Sequence, residues 1–143
     1  MRQHSIFVYG TLRLGQGNHR RLLAGRTTRE IPATAAGLAL YGRGIPYAVP
    51  QPGAQVVGEL ITITPELYRD VLTDLDHLEG YYPRRPKASH YIRKARSVVA
   101  MNRTPNGGTW RAVHTAWIYL AGPDVDPSRM PRITDDDWLA PAR

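Results

Sequence analysis

The spacing of apolar and polar positions along this chain predicts several strands and one strong helix. Leu67, Val71, Leu75 and Leu78 recur at i, i+4, i+8 and i+11, a single apolar stripe at the helical period. Thr64 is placed to cap that helix, Pro65 suits its first position, and Glu66 suits the positive end of the dipole. Gly80 stops it as a C′ residue, and Pro83 bars continuation. Glu79 is out of keeping with this pattern. It follows Leu75 by four positions, so an extended helix turns it with the apolar face towards the core. A carboxylate there, near the negative end of the dipole, is poorly solvated and its pKa is raised. Those conditions make a general base. A Glu that swings out into solvent is the equally open alternative.

Strand patterns flank the helix on both sides. Ser5-Ile6-Phe7-Val8-Tyr9 reads as a short buried strand that leaves through the glycine-bearing loop Gly10-Thr11-Leu12-Arg13-Leu14-Gly15-Gln16-Gly17. Asn18 is placed to cap a short helix through Leu22-Leu23, which Gly25 ends. Residues 33–41 form a second strand candidate, whereas residues 45–50, punctuated by prolines, read as an edge or loop segment. Residues 56–63 alternate well, with Glu59 on the face of Val57, Ile61 and Ile63. Glu59 is thus either a second inward carboxylate, rivalling Glu79, or a structural acceptor paired with an Arg or with backbone N–H groups. Residues 91–103 and 109–120 read as two long strands joined by the hairpin signal Thr104-Pro105-Asn106-Gly107-Gly108. Trp138 is the expected anchor of the Pro- and Asp-rich tail. With no repeat or linker, the reading is one domain over residues 1–143, α+β in class, with a curled, barrel-like sheet.

Composition changes this picture little. No apolar run approaches the ~18 residues of a membrane span, and the N-terminal residues lead straight into strand-like sequence without a secretory pattern. The chain has no cysteine, which removes disulfides and thiolate chemistry and fits a cytoplasmic protein. Its net charge of +7 invites a nucleic-acid reading. Yet the 17 Arg and 2 Lys are scattered, the small groups being Arg20-Arg21, Arg84-Arg85-Lys87 and Arg93-Lys94-Arg96. No aromatic–basic motif accompanies them, so neither nucleic acid nor a membrane is the expected partner.

The motifs of several chemistries are missing. None of the serines sits in Gly-x-Ser-x-Gly, and the five histidines are dispersed without metal-ligand spacing, so no metal or other cofactor is expected. The loop lacks the third glycine of a dinucleotide fingerprint and the Gly-Lys-Ser/Thr of a P-loop. What remains is a carboxylate and a loop with free backbone N–H groups, a ready anion site.

Two stretches together, Val8-Tyr9-Gly10-Thr11-Leu12-Arg13 and Leu75-Asp76-x-Leu78-Glu79-Gly80-Tyr81, resemble the γ-glutamylcyclotransferase-like family. That family includes γ-glutamylamine cyclotransferases and AIG2-like proteins. Gly58-Glu59-Leu60, Tyr91-x-Arg93 and Trp117-x-Tyr119 agree in order, and Asp136-Asp137-Trp138 resembles the family's terminal Gly-Asp-Trp with Asp136 in place of glycine. The resemblance covers nearly the whole chain. It implies a small mixed β-barrel with flanking helices and a cavity between the loop Tyr9-Gly10-Thr11-Leu12 and the catalytic glutamate, which falls on Glu79. It also implies cofactor-independent conversion of an L-γ-glutamyl amine or amino acid into 5-oxoproline and the free amine, by an acyltransferase or amidine-type C–N lyase. On the same ground Tyr91 and Tyr119 line the cavity, with a role as plain core aromatics equally open. Arg13 either attracts the substrate carboxylate or lies on the surface. A non-catalytic member that keeps the pocket to bind a small molecule is the alternative of a different kind; loss of the glutamate would mark it, and Glu79 is present.

Overall fold

In a computed structural model of the chain, residues 3–140 are described; residues 1–2 and 141–143 of the expected domain lie outside the described residues. Five strands and two helices follow one another: β1 (Ser5–Val8), α1 (Gly17–Leu22), β2 (Thr27–Tyr41), β3 (Tyr47–Ile63), α2 (Tyr68–Leu78), β4 (Tyr91–Arg103) and β5 (Thr109–Ala121). The strands close into a barrel in the order β1-β3-β2-β4-β5. Parallel pairing of β5 with β1, at Ser5–Ala116 and Ile6–Trp117, completes the ring. A second parallel contact joins Ala48 of β3 to Leu120 of β5. Closure removes the unpaired edges that an open sheet of this length would expose. The α+β class and the barrel agree with the sequence reading.

The barrel has an apolar cluster on each face of its wall. Inside, Phe7, Ile31, Leu38, Leu40, Val56, Leu60, Val98 and Ile118 interdigitate with Ala33, Ala35, Ala48, Ala100 and Ala116. So many alanines fit a narrow five-stranded ring, whose interior cannot hold large residues from every strand. Outside, Ile6, Val8, Ile61, Ile63 and Tyr119 meet Tyr68, Val71 and Leu75 of α2, and Leu23 just after α1. Strands covered on both faces explain the unbroken runs Ile6-Phe7-Val8 and Leu60-Ile61, which alternation alone does not identify. Among the described residues, no helix is long and apolar enough to cross a membrane.

The structure differs from the sequence reading at four places. β2 begins at Thr27, not residue 33, because its polar first residues pair with the end of β3 at Thr27–Ile63 and Arg29–Thr62. Residues 47–50 belong to β3 and are no loop. Its prolines are tolerated because the β2–β3 register jumps there, from Leu38–Pro50 to Ala36–Gln55, leaving an excursion opposite Gly37. Thr64 does not cap α2 with its side chain: Pro65–Leu67 form a separate 3-10 turn, closed by Leu67 N–H donating to the Thr64 carbonyl at 2.9 Å, and α2 starts at Tyr68. Asn18 lies inside α1, whose N-cap is Gln16, since its amide is drawn away to Thr11 Oγ1 at 2.8 Å. The expected anchor holds, with Trp138 and Ile133 packed against the interior cluster.

Where the resembled motif has glycine, Asp136 adopts φ +50°, in the left-handed region glycine enters freely. Its carboxylate makes up for this by accepting the Leu40 N–H at 2.9 Å and by pairing with Arg132 at 2.7 Å. Asp136→Ala loses the acceptor and keeps the strain, so its unfolding free energy in a urea titration should fall by about 2–3 kcal/mol. Asp136→Gly relieves the backbone and should fall by about 1 kcal/mol less. Equal losses would mean that the backbone at residue 136 carries no strain.

Candidate active site

The end of α2 is built to hold Glu79 still. Glu79 keeps helical backbone angles, with its N–H bonded to the Leu75 carbonyl at 3.0 Å, so its side chain stays in line with Leu75. The chain then reverses at Gly80, where φ is +63°. Gly80 N–H reaches the His77 carbonyl at 3.2 Å and Tyr81 N–H the Asp76 carbonyl at 2.9 Å, the paired bonds of a Schellman cap. Gly80 thus ends the helix as the sequence indicates.

Asp76 fastens this turn to the barrel. Its carboxylate accepts the Tyr119 hydroxyl at 2.6 Å and takes the Arg93 guanidinium in a two-point pair at 2.8 and 3.2 Å. Arg93 lies over the Trp117 ring at 4.4 Å. The motif residues Arg93, Trp117, Tyr119 and Asp76 are therefore one physical unit, which ties α2 to β4 and β5.

Opposite Glu79, the chain leaves β1 through Tyr9 and a tight turn closed by Arg13 N–H on the Gly10 carbonyl at 3.0 Å. Gly10 is required by close approach, since a Cβ there would sit 2.6 Å from the Pro46 ring. Among the described residues, no acceptor takes the backbone N–H groups of Gly10, Thr11 or Leu12. Arg13 takes neither of its expected roles. It is buried, at 8% exposure, and pairs with Glu59 at 2.7 Å and Asp137 at 2.6 Å. Glu59 is correspondingly a structural acceptor, also taking the Leu14 N–H at 3.3 Å. Paired with Arg13 and absent from the cavity lining, it does not rival Glu79.

Between turn and helix end lies a cavity of about 250 Å³. Glu79, Tyr9, Gly10, Thr11, Leu12, Tyr91 and Tyr119, the residues singled out from the sequence, all line it. The three tyrosines form wall and spend their hydroxyls on the protein: Tyr9 on the Tyr119 carbonyl, Tyr91 on the Pro46 carbonyl at 2.7 Å, Tyr119 on Asp76. They both line the cavity and belong to the core. Sequence reasoning missed Asn18, Ile45, Pro46, Leu78 and His90 among the lining residues. His90 joins the site through Tyr47, whose hydroxyl lies 2.7 Å from its Nε2. The close spacing of His90 to the Tyr91-x-Arg93 motif was the one available signal.

Electrostatics single out Glu79. It is the only acid among the lining residues, and burial pushes its carboxyl up to about 7. The other sheltered acids among the described residues have partners: Glu59 and Asp137 in Arg13, Asp76 in Arg93, Asp136 in Arg132, and Glu30 in His19 Nε2 and the Thr27 hydroxyl. Glu79 has no ion pair or hydrogen bond with the described residues that would offset its burial. Burial first, and then the Glu79 charge, also holds the Tyr47 and Tyr9 phenols above their ordinary range. These tyrosines stay neutral throughout the working pH range. Among the described residues, no group of three His, Asp or Glu side chains converges to hold a metal.

The family model described as gamma-glutamyl cyclotransferase, AIG2-like, matches residues 6–140. Among solved structures, an AIG2-like protein from Mus musculus is 25% identical with a TM-score of 0.61, over 96% of this chain and 90% of that one. The ytfP protein of Escherichia coli is 27% identical with a TM-score of 0.58, over 94% and 96% of the two chains. An Arabidopsis thaliana protein, at 24% identity and a TM-score of 0.60 over 94% and 79%, shares the fold. No curated protein sequence matches the chain.

The raised pKa makes stability depend on pH. A carboxyl at 4.5 in the unfolded chain and about 7 in the folded one favours folding while protonated. Its contribution is complete below pH 4.5 and is lost as pH rises through about 7. At about 1.4 kcal/mol per unit the loss is at most ~3.5 kcal/mol. Glu79→Gln removes this dependence, so between pH 5 and pH 8 the variant should gain about 1–3 kcal/mol on the parent in urea unfolding. A constant difference between the two pH values would show that the carboxylate is fully solvated.

Proposed function

We propose that this chain, which belongs to the gamma-glutamyl cyclotransferase, AIG2-like family, converts a small L-γ-glutamyl amine or amino acid into 5-oxoproline and the free amine, with Glu79 as general acid and base. The observation that carries this reading is the uncompensated Glu79 carboxyl across the cavity from the open N–H groups of residues 10–12. We take the enzyme to work in the cytoplasm, as suits a chain without cysteine.

The substrate supplies its own nucleophile. Its α-amine attacks the γ-carbonyl, forming the ring C–N bond and a tetrahedral oxyanion; collapse breaks the bond to the departing nitrogen. Holding both ends of one molecule in a small cavity makes the attack unimolecular, worth up to ~7–11 kcal/mol for well-aligned groups. The α-amine, with a pKa near ~8, must lose a proton to react. Glu79 takes that proton and returns it to the departing amine, so no water is consumed. A carboxyl poised at about 7 serves both transfers at neutral pH. The N–H groups of Gly10, Thr11 and Leu12 hold the α-carboxylate or the developing oxyanion. Tyr9, Tyr91 and Tyr119, neutral and already bonded, shape the wall and exclude water. The reaction has no step that requires a cofactor.

Glu79→Gln should keep its fold yet lose turnover by at least ~10²-fold, the lower range for a general base. Turnover close to the parent's across a panel of γ-glutamyl compounds would remove Glu79 from the mechanism. Blocking the α-amine by acetylation should abolish reaction, while the free substrate yields 5-oxoproline, lighter than glutamate by one water on mass spectrometry. Glutamate as first product would mean that water attacks and that the reaction is hydrolysis.

A further inference from the structure

The cavity, at about 250 Å³, is smaller than the ~300–1,000 Å³ of sites that enclose a drug-sized ligand. It has room for a γ-glutamyl group, and whatever the γ-nitrogen carries must pass out of its mouth. A groove between α1 and α2 adjoins the cavity at Leu78, lined by Arg21, Leu22, Thr73, Asp74, His77 and Leu78. Two side chains link groove and cavity. Leu78 lines both. Arg21, in the groove, donates through Nη2 to Asn18 Oδ1 at 3.0 Å, and Asn18 lines the cavity.

The charges of this groove do not balance. Asp74, its one acid, is held by Arg26 at 3.1 Å. Arg21 is exposed and, among the described residues, is bonded to a neutral amide and to no carboxylate. A guanidinium in that position presents unused N–H donors in the planar fork that matches a carboxylate. Resting on the reaction read above, we propose that the α1–α2 groove is the subsite for the departing amine and that Arg21 binds a carboxylate carried by it. The favoured substrates are then γ-glutamyl derivatives of amino acids, not of neutral or cationic amines.

A second source of positive charge stands near the mouth. The loop between Glu79 and His90, both lining residues, is joined at its base by His90 N–H on the Gly80 carbonyl at 3.0 Å and carries Arg84, Arg85 and Lys87. Arg85 already lies over the Tyr82 ring at 5.3 Å. The test must separate this loop from Arg21.

γ-Glutamyl-alanine, γ-glutamyl-alaninamide and γ-glutamyl-cadaverine form the substrate series, with the parent, Arg21→Gln, Arg21→Lys and an Arg84→Gln/Arg85→Gln double variant. The parent should favour alanine over alaninamide by about tenfold in kcat/KM, carried by KM, the order of one charge-assisted hydrogen bond. Cadaverine should be poorest. The alanine-to-alaninamide ratio should collapse to near one in Arg21→Gln, persist in part in Arg21→Lys, and survive in the double variant. A ratio near one in the parent, or one that only the double variant abolishes, overturns the assignment. Release of 5-oxoproline from any of the three compounds tests the reaction separately. If none is released, calorimetric affinities of the same series for the parent and for Arg21→Gln read the same ratio and decide the subsite alone.

Discussion

The parallel pairing of β1 with β5 is the constraint on which the site depends. Only two residue pairs make it, yet it joins the first strand of the chain to the last. Without it, the turn after Tyr9 and the Tyr119 wall would belong to opposite edges of an open sheet. Closure puts the Tyr9 hydroxyl on the Tyr119 carbonyl and aligns Ala48 with Leu120, so residues 9–12, 46–48 and 119–120 form one rim. That rim is rigid because β1 is buried on both faces, Phe7 inside the barrel and Ile6 and Val8 under the helices. A four-residue strand has little pairing strength of its own. Here its two-sided apolar burial, not its hydrogen bonds, supplies the hold.

Glu79 then reaches the rim from a helix fastened at its far end. The Tyr68 hydroxyl on the His4 carbonyl fixes the start of α2, and Asp76, through Tyr119 and Arg93, fixes its last turn. A general base must sit within hydrogen-bond reach of the proton it takes, and small displacements cost large factors in rate. In the proposed reaction the Asp76 pair therefore acts through the position of Glu79, three residues along the same helix. Tyr119 serves twice, its hydroxyl on the helix and its carbonyl on Tyr9.

What could be read from the sequence follows from which signals are local. The stripe Leu67, Val71, Leu75, Leu78 and the stop at Gly80 depend on neighbours within one turn, and they located α2 and its odd carboxylate. The long β4–β5 hairpin was legible for the same reason, its turn being written in five adjacent residues. By contrast, the proline-bearing start of β3 is a strand only because β2 and β5 pair with it at a distance. Asn18 is a good cap in isolation, and a partner seven residues upstream takes it instead. Arg13 lies beside the loop in sequence, while its partners, Glu59 and Asp137, arrive from β3 and the tail. Nothing local marks Arg21 and Leu78 as lining one groove, since their approach is set by how α1 and α2 lie on the barrel.

A strongly basic chain has cations enough to neutralise every carboxylate it folds around, and this one nearly does so for its sheltered ones. Arginines from distant segments meet the half-buried acids at Asp76, Glu59 and Asp137, and Arg132 meets Asp136 from four residues away. In a poorly solvated setting each such pair avoids the cost of an isolated charge, several kcal/mol even after relaxation. Leaving Glu79 out of this scheme costs stability above pH 7, where its proton is lost without a counter-ion. An arginine within reach would remove that cost by drawing the carboxyl back to its ordinary acidity, and with it the basicity a proton transfer at neutral pH requires. The arginine of the α1–α2 groove avoids this conflict by position. Arg21 stands beyond Asn18, where it faces the groove and leaves the Glu79 carboxyl unpaired.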